Sequence, residues 1–242
     1  MLLICVDKNM ELSPAEGAAM GRTTEAWVAQ TGPARLTGGP LRPAETATTV
    51  RVRDGQVLVS DGPFAETKEQ IAGYDLLECD SLDEAVGIAA RHPVSVIGSV
   101  EVRPVLGAWL AEPLERDEPP APGTIRYLLI HCLDESAELD PDLDAGIAGS
   151  PAQVAQDAWD EDLEARRIKL SGVRLGDAAD ARTVQVRDWK LLVTDGPFAE
   201  TKEQVAGINV LECTDLDQAI EIASGHPTAR FGTFELRPFE AM

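Results

Sequence analysis

Asp61-Gly62-Pro63-Phe64-Ala65-Glu66-Thr67-Lys68-Glu69-Gln70 occurs a second time, unchanged, as Asp195 to Gln204. A ten-residue identity inside one chain marks a tandem duplication, so the 242 residues divide into two domains of ordinary size. Agreement spreads from this stretch over Thr49–Pro104 against Thr183–Pro238 and thins before it. The first domain is therefore expected at 1–107 and the second at 124–242. An acidic segment at 108–123, with Pro119, Pro120 and Pro122, reads as a semi-rigid linker. The loop itself is a recipe for a sharp turn. Gly62 tolerates positive φ, Pro63 fixes φ, and Phe64 can drop into the core, while Asp61 caps the amide of Phe64 or Ala65. Loops usually drift faster than cores, so one kept identical in both copies carries a constraint beyond packing.

Working outward, Leu2–Val6 and Arg126–Cys132 are apolar runs expected to be buried first strands. Ser13-Pro14 and Ser150-Pro151 each place a cap before a helical proline and start helices running to about Gln30 and Arg167, with Trp27 and Trp159 as core anchors. Val50 and Val52 alternate with Arg51 and Arg53, and the chain then turns at Asp54-Gly55; the second copy turns at Asp188-Trp189. After the repeated loop come a strand over Ile71–Cys79, a capping box at Ser81 and Glu84, a helix stopped by His92-Pro93, and a last strand over Ile97–Val105. In that strand Val100 and Val102 take one face, and Ser99, Glu101 and Arg103 the other. This order predicts two tandem ferredoxin-like α+β domains with an added hairpin, the valine face meeting the helices and the polar face a partner sheet.

Composition narrows the function classes. With 42 acidic and 21 basic residues the net charge is -21, which repels nucleic acid and anionic membranes. Cys5, Cys79, Cys132 and Cys213 have neither metal-ligand nor disulfide-framework spacing, so neither a metal nor another cofactor is expected. The start of the chain reaches a charge at Asp7, too soon for a signal peptide or membrane span, and a cytoplasmic location is expected.

On the Val-Arg-Val-Arg-Asp-Gly hairpin, the Asp-Gly-Pro-Phe-Ala-Glu-Thr-Lys-Glu-Gln loop, the Leu-Asp-Glu-Ala helix and the closing Glu-Val-Arg-Pro, the chain resembles the YCII-related family, in the branch named after Asp-Gly-Pro-Phe. The resemblance implies a dimeric α+β barrel in which two ferredoxin-like sheets enclose a cavity, here supplied as a pseudo-dimer by one chain. Smaller members of the family pair a histidine in the first helix with an aspartate before a proline at the end of the second. Neither first helix here contains a histidine, and the pre-proline residues are His92 and His226, so that pair does not carry over. The branch is also similar to domains joined to, or encoded beside, alternative sigma factors, which implies an accessory role in transcription regulation.

The candidate chemistry follows from which polar residues share the open strand face. Asp61 with His92, and Asp195 with His226, are the candidate acid–base pairs. Arg53, Arg103, Arg187 and Arg237 are candidate contacts for a small anionic substrate, with Phe64 and Phe198 beside them. Glu101, two residues from Arg103 on the same face, can neutralise it. His92 and His226 read equally as caps at helix C-termini, and His131, expected opposite Cys5 or Val6, as a local feature. The competing function is a non-catalytic sensor whose partner is a sigma factor or another regulatory protein. A duplication left with one live cavity or none is a third, and self-association is compatible with all three.

Overall fold

The computed structural model of the chain describes residues 1–110, 120–134 and 150–240. Its strands are β1 (Leu2–Asp7), β2 (Arg35–Pro40), β3 (Thr48–Arg53), β4 (Gln56–Asp61), β5 (Glu69–Leu77), β6 (Ser99–Val102), β7 (Val105–Leu110), β8 (Ile125–Asp134), β9 (Lys169–Leu175), β10 (Arg182–Arg187), β11 (Lys190–Asp195), β12 (Glu203–Cys213) and β13 (Thr233–Pro238). The helices among the described residues are α1 (Pro14–Thr31), α2 (Leu82–Ala90), α3 (Val94–Ile97), α4 (Pro151–Ala165) and α5 (Leu216–Gly225). The protein is a mixed α+β fold with two antiparallel sheets.

The helices begin where their caps dictate. Ser13 accepts from the Glu16 amide while the Glu16 carboxylate accepts from the Ser13 amide at 2.9 Å, a complete capping box. Ser150 accepts from the Gln153 amide at 3.1 Å. In α2 the box is displaced by one residue: Ser81 accepts from the Glu84 amide, but the Glu84 carboxylate takes the Asp80 amide at 2.8 Å. The last strand of the first copy also begins later than expected. Val94–Ile97 forms the short helix α3, and β6 starts only at Ser99 because Gly98 brings the backbone against β1: a Cβ at Gly98 would lie 2.1 Å from the Cys5 carbonyl oxygen. After Pro104 the chain continues as β7, which runs through Leu110 and so occupies the first residues of the expected linker. The part of that linker at 111–119 lies outside the described residues.

The compact units do not follow chain order. One unit comprises Met1–Ala44, Thr67–Leu106 and Leu175–Glu200; the other comprises Glu45–Glu66, Gly107–Arg174 and Thr201–Met242. Each copy therefore gives its hairpin to the unit built around the other copy, a finding that the expected division at 1–107 and 124–242 did not contain.

In the first unit the strand order is β11-β10-β6-β1-β5-β2. The hairpin β10–β11 joins through β10, with Val184 opposite Val100 and Thr183 opposite Glu101. Leu2, Ile4, Trp27, Ile88, Val100 and Val184 form the core beneath the helices. The donated valine is fully buried, so the hairpin belongs to this core as firmly as the strands of its own copy.

In the second unit the order is β4-β3-β13-β8-β12-β9-β7. Here β3 joins β13, with Val50 opposite Phe234 and Thr49 opposite Glu235. Val50, Leu129, Leu163, Leu211, Ile222 and Phe234 are among its core residues. Among the described residues no helix is long and apolar enough to cross a membrane.

Candidate functional site

The repeated decapeptide is where the chain passes from one unit to the other: the boundaries fall after Glu66 and after Glu200. Gly62 and Gly196 sit at φ 92° and 97°, a region costly for any side chain-bearing residue. The Gly62 amide donates to Ala47 and its carbonyl accepts from the Thr49 hydroxyl at 2.7 Å; Gly196 repeats this with Ala181 and Thr183. The Phe64 amide, one of the two that Asp61 was expected to cap, donates to the buried carboxylate of Glu235 at 2.9 Å, and the Phe198 amide donates to Glu101 at 2.9 Å. Each turn is thus latched by a glutamate from the other copy's closing strand, within one unit. Beyond the turn, Gln70 and Gln204 donate to the carbonyls of Thr67 and Thr201.

The four candidate arginines serve the same joint. Arg103 donates twice to one Glu101 oxygen, at 2.9 and 2.5 Å, and to the Gly176 carbonyl at 3.2 Å. Arg237 pairs with Glu235. All four members of these ion pairs are buried. Arg53 binds the carbonyls of Ala229 and Gly232, each at 3.2 Å, and Arg187 binds those of Ser95, Val96 and Gly98 at 2.8, 3.0 and 2.7 Å. Each pins the tip of a donated hairpin to backbone carbonyls of its new unit.

The candidate acid–base pairs are distributed differently. Asp61 and His226 belong to one unit, Asp195 and His92 to the other. Asp61 is exposed at the end of the edge strand β4, opposite Thr48. Asp195 is exposed at the end of β11 and pairs with Arg182 at 3.2 Å. The histidines instead lie buried against tryptophan. The His92 ring meets Trp27 edge-on at 4.6 Å, and its Nδ1 accepts from the Val94 amide at 3.2 Å. His226 meets Trp159 at 4.6 Å and accepts from the Thr228 amide at 3.1 Å. These bonds cap the turns that follow the histidines, not the C-termini of the helices before them. Burial lowers His92 to about 4, with Arg35 adding to the effect, and lowers His226 well below its ordinary value, so both rings are neutral at pH 7.

The arginine whose charge reaches His92 binds a group that sequence reading passed over. Asp75, in the middle of the apolar strand β5, accepts from Arg35 Nε at 2.6 Å. Burial raises its carboxyl to about 6 against the opposing pull of Arg35. A Cβ at Gly38 would lie 2.3 Å from the Asp75 carboxylate, so glycine is needed for β2 to pass it. The second unit has Asn209 at the matching register, with Lys169 where the first has Arg35. Asn209 lies 2.8 Å from His131 Nε2, and His131 packs on His226 at 4.5 Å. The counterpart of His131 is Ile4, not Cys5 or Val6, since Ile4 pairs with Gly73 and His131 with Gly207. The available signal was a carboxylate inside an otherwise apolar run, present in one copy and amidated in the other.

All four cysteines are free, and burial holds the Cys5 and Cys132 thiols well above their ordinary range. Among the described residues no His, Cys, Asp and Glu cluster is arranged to hold a metal ion.

Two sheets, each completed by the other copy's hairpin, with a polar cluster at matching positions beneath the helices, define a tandem-repeat α+β protein. The model of the YCII-related domain family matches residues 1–109 and 158–242, and the chain belongs to that family. It is also similar to an uncharacterized protein of Rhizobium meliloti (strain 1021), 48% identical over 67 residues, which are 27% of this chain. The match spans 54% of that relative's length, about half of it.

Proposed function

We propose that the chain is a cytoplasmic YCII-related protein of the Asp-Gly-Pro-Phe branch that binds a small anionic metabolite at Arg35 and Asp75 and moves a proton there. Asp75 carries this reading: its carboxyl, at about 6, titrates close to neutrality next to a guanidinium at 2.6 Å. An anion that takes Arg35 from Asp75 removes the charge that keeps the carboxylate ionised, so binding draws a proton onto Asp75. His92, held by Trp27 and Val94, is kept neutral by burial and by the charge of Arg35. Asp61, Asp195 and His226 stand in this proposal as further acid–base candidates, and Phe64 and Phe198 as further ligand contacts. The ferredoxin-like pseudo-dimeric barrel is its finer fold, supported by the repeated order of elements.

The test is calorimetric titration of small carboxylates and phosphates in buffers of differing ionisation enthalpy. The expected result is uptake of up to one proton per ligand above pH 6, abolished in Asp75→Asn, with binding weakened in Arg35→Lys. Both substitutions install residues that the second unit already carries. Equal binding in all three proteins would remove the site.

One observation favours a second reading. All four candidate strand arginines are committed to protein groups, as expected of a module without anion chemistry at those positions. In that case the chain is a regulatory accessory. A pull-down would retain a sigma factor, and no metabolite would be turned over.

A further inference from the structure

The two copies differ on the polar face of their sheets at one arginine. Arg51 of β3 stands beside Thr233 of β13, and its counterpart in β10 is Gln185. Arg51 Nε donates to the Thr233 hydroxyl at 2.8 Å, and that hydroxyl donates to Glu203 Oε1 at 2.6 Å. The contact from Arg51 Nη2 to Glu203 Oε2 is 3.5 Å, beyond the usual range of a charge-assisted bond. Arg51 Nη1 has no partner among the described residues. Both side chains reach solvent, at 33% and 23% exposure. Four other arginines are committed to carboxylates or carbonyls, whereas Arg51 turns an open Nη edge to solvent, where a ligand can reach it.

The arrangement is a guanidinium edge next to a carboxylate oxygen, with a threonine hydroxyl fixing the near side of each. A lone anion would meet Glu203, and a lone cation Arg51. A molecule carrying both charges a few ångströms apart satisfies both groups, its carboxylate on the guanidinium fork and its ammonium on Glu203 Oε2. We propose that Arg51, Thr233 and Glu203 form a binding site for a free α-amino acid or a similar small zwitterion. The site lies in the second unit and shares no residue with the Arg35–Asp75 cluster. In the first unit Glu69 and Ser99 are already joined at 2.6 Å, and only the arginine is missing.

The test is isothermal titration of the full chain with glycine, L-alanine and L-glutamate, with acetate, methylamine and inorganic phosphate as single-charge controls. The amino acids are expected to bind at one site per chain and the controls at least tenfold more weakly, as roughly follows from losing one charge-assisted contact. Arg51→Gln, which installs the residue found at Gln185, and Glu203→Gln should each abolish binding, while Asp75→Asn leaves it intact. Gln185→Arg, beside the existing Glu69 and Ser99, should raise the stoichiometry from one to two. Absence of amino-acid binding, binding of acetate or phosphate as strong as that of the amino acids, or affinity unchanged in Arg51→Gln would each overturn the assignment.

Discussion

At the scale of the residue, the titratable groups beneath the helices set the acid response. His92 and His226 are buried and neutral, and His131, partly exposed, is lowered to about 3. Below pH 6.5 an unfolded histidine takes a proton that the folded one refuses, so the unfolded state binds more protons and stability is lost as pH falls. Asp75 works in the opposite sense. Its folded carboxyl, at about 6, takes a proton before the unfolded one does, so it adds stability as pH drops through 6 towards 4. The histidines outnumber it. Unfolding free energy from urea melts should be lower at pH 5 than at pH 7 by roughly 2–4 kcal/mol. Asp75→Asn should make that loss larger, because the opposing group is gone. A flat profile would mean that the rings titrate freely.

At the scale of the element, the latch and the hairpin tip give separate expectations. Replacing Glu101 or Glu235 by glutamine leaves a buried arginine without its counter-ion and should cost about 3–5 kcal/mol in a chemical melt. Asp61→Asn, at an exposed strand end, should leave the melt unchanged. Trp189 is 99% exposed and sits at φ 63°, where the first copy has Gly55. Trp189→Gly should therefore raise stability by about 1 kcal/mol, read as a higher Tm. Much at this scale was legible in the sequence. Ser13-Pro14, Ser150-Pro151 and the two-residue turns sit where local chemistry puts them, and Glu101 two residues from Arg103 already announced the ion pair. Helix α3 was not legible, because Val94–Ile97 carries the apolar run of a strand and only the close pass of Gly98 over β1 breaks it. Asp75 was hidden for a similar reason: a single acid in an apolar strand says nothing of the arginine that a neighbouring strand brings to it.

At the scale of the molecule, the exchange of hairpins is the feature that sequence could not show. Val50 and Val184 both lie in strands of nearly the same sequence, and the edges that receive them offer the same partners, Glu235 and Glu101. Either hairpin fits either edge, so pairing preference is degenerate and chain connectivity decides. The exchange gives the identical decapeptide its physical reason. It must leave one unit, turn at Gly62 or Gly196, and be held by a buried glutamate before entering the other, which constrains glycine, proline and the chain direction together. Nuclear Overhauser contacts between backbone amides of a deuterated sample test this most directly. The account predicts cross-strand contacts between β3 and β13 around Val50 and Phe234, and between β10 and β6 around Val184 and Val100. Contacts joining the strand of Val50 to that of Val100, and the strand of Val184 to that of Phe234, would show each copy keeping its own hairpin and would contradict it.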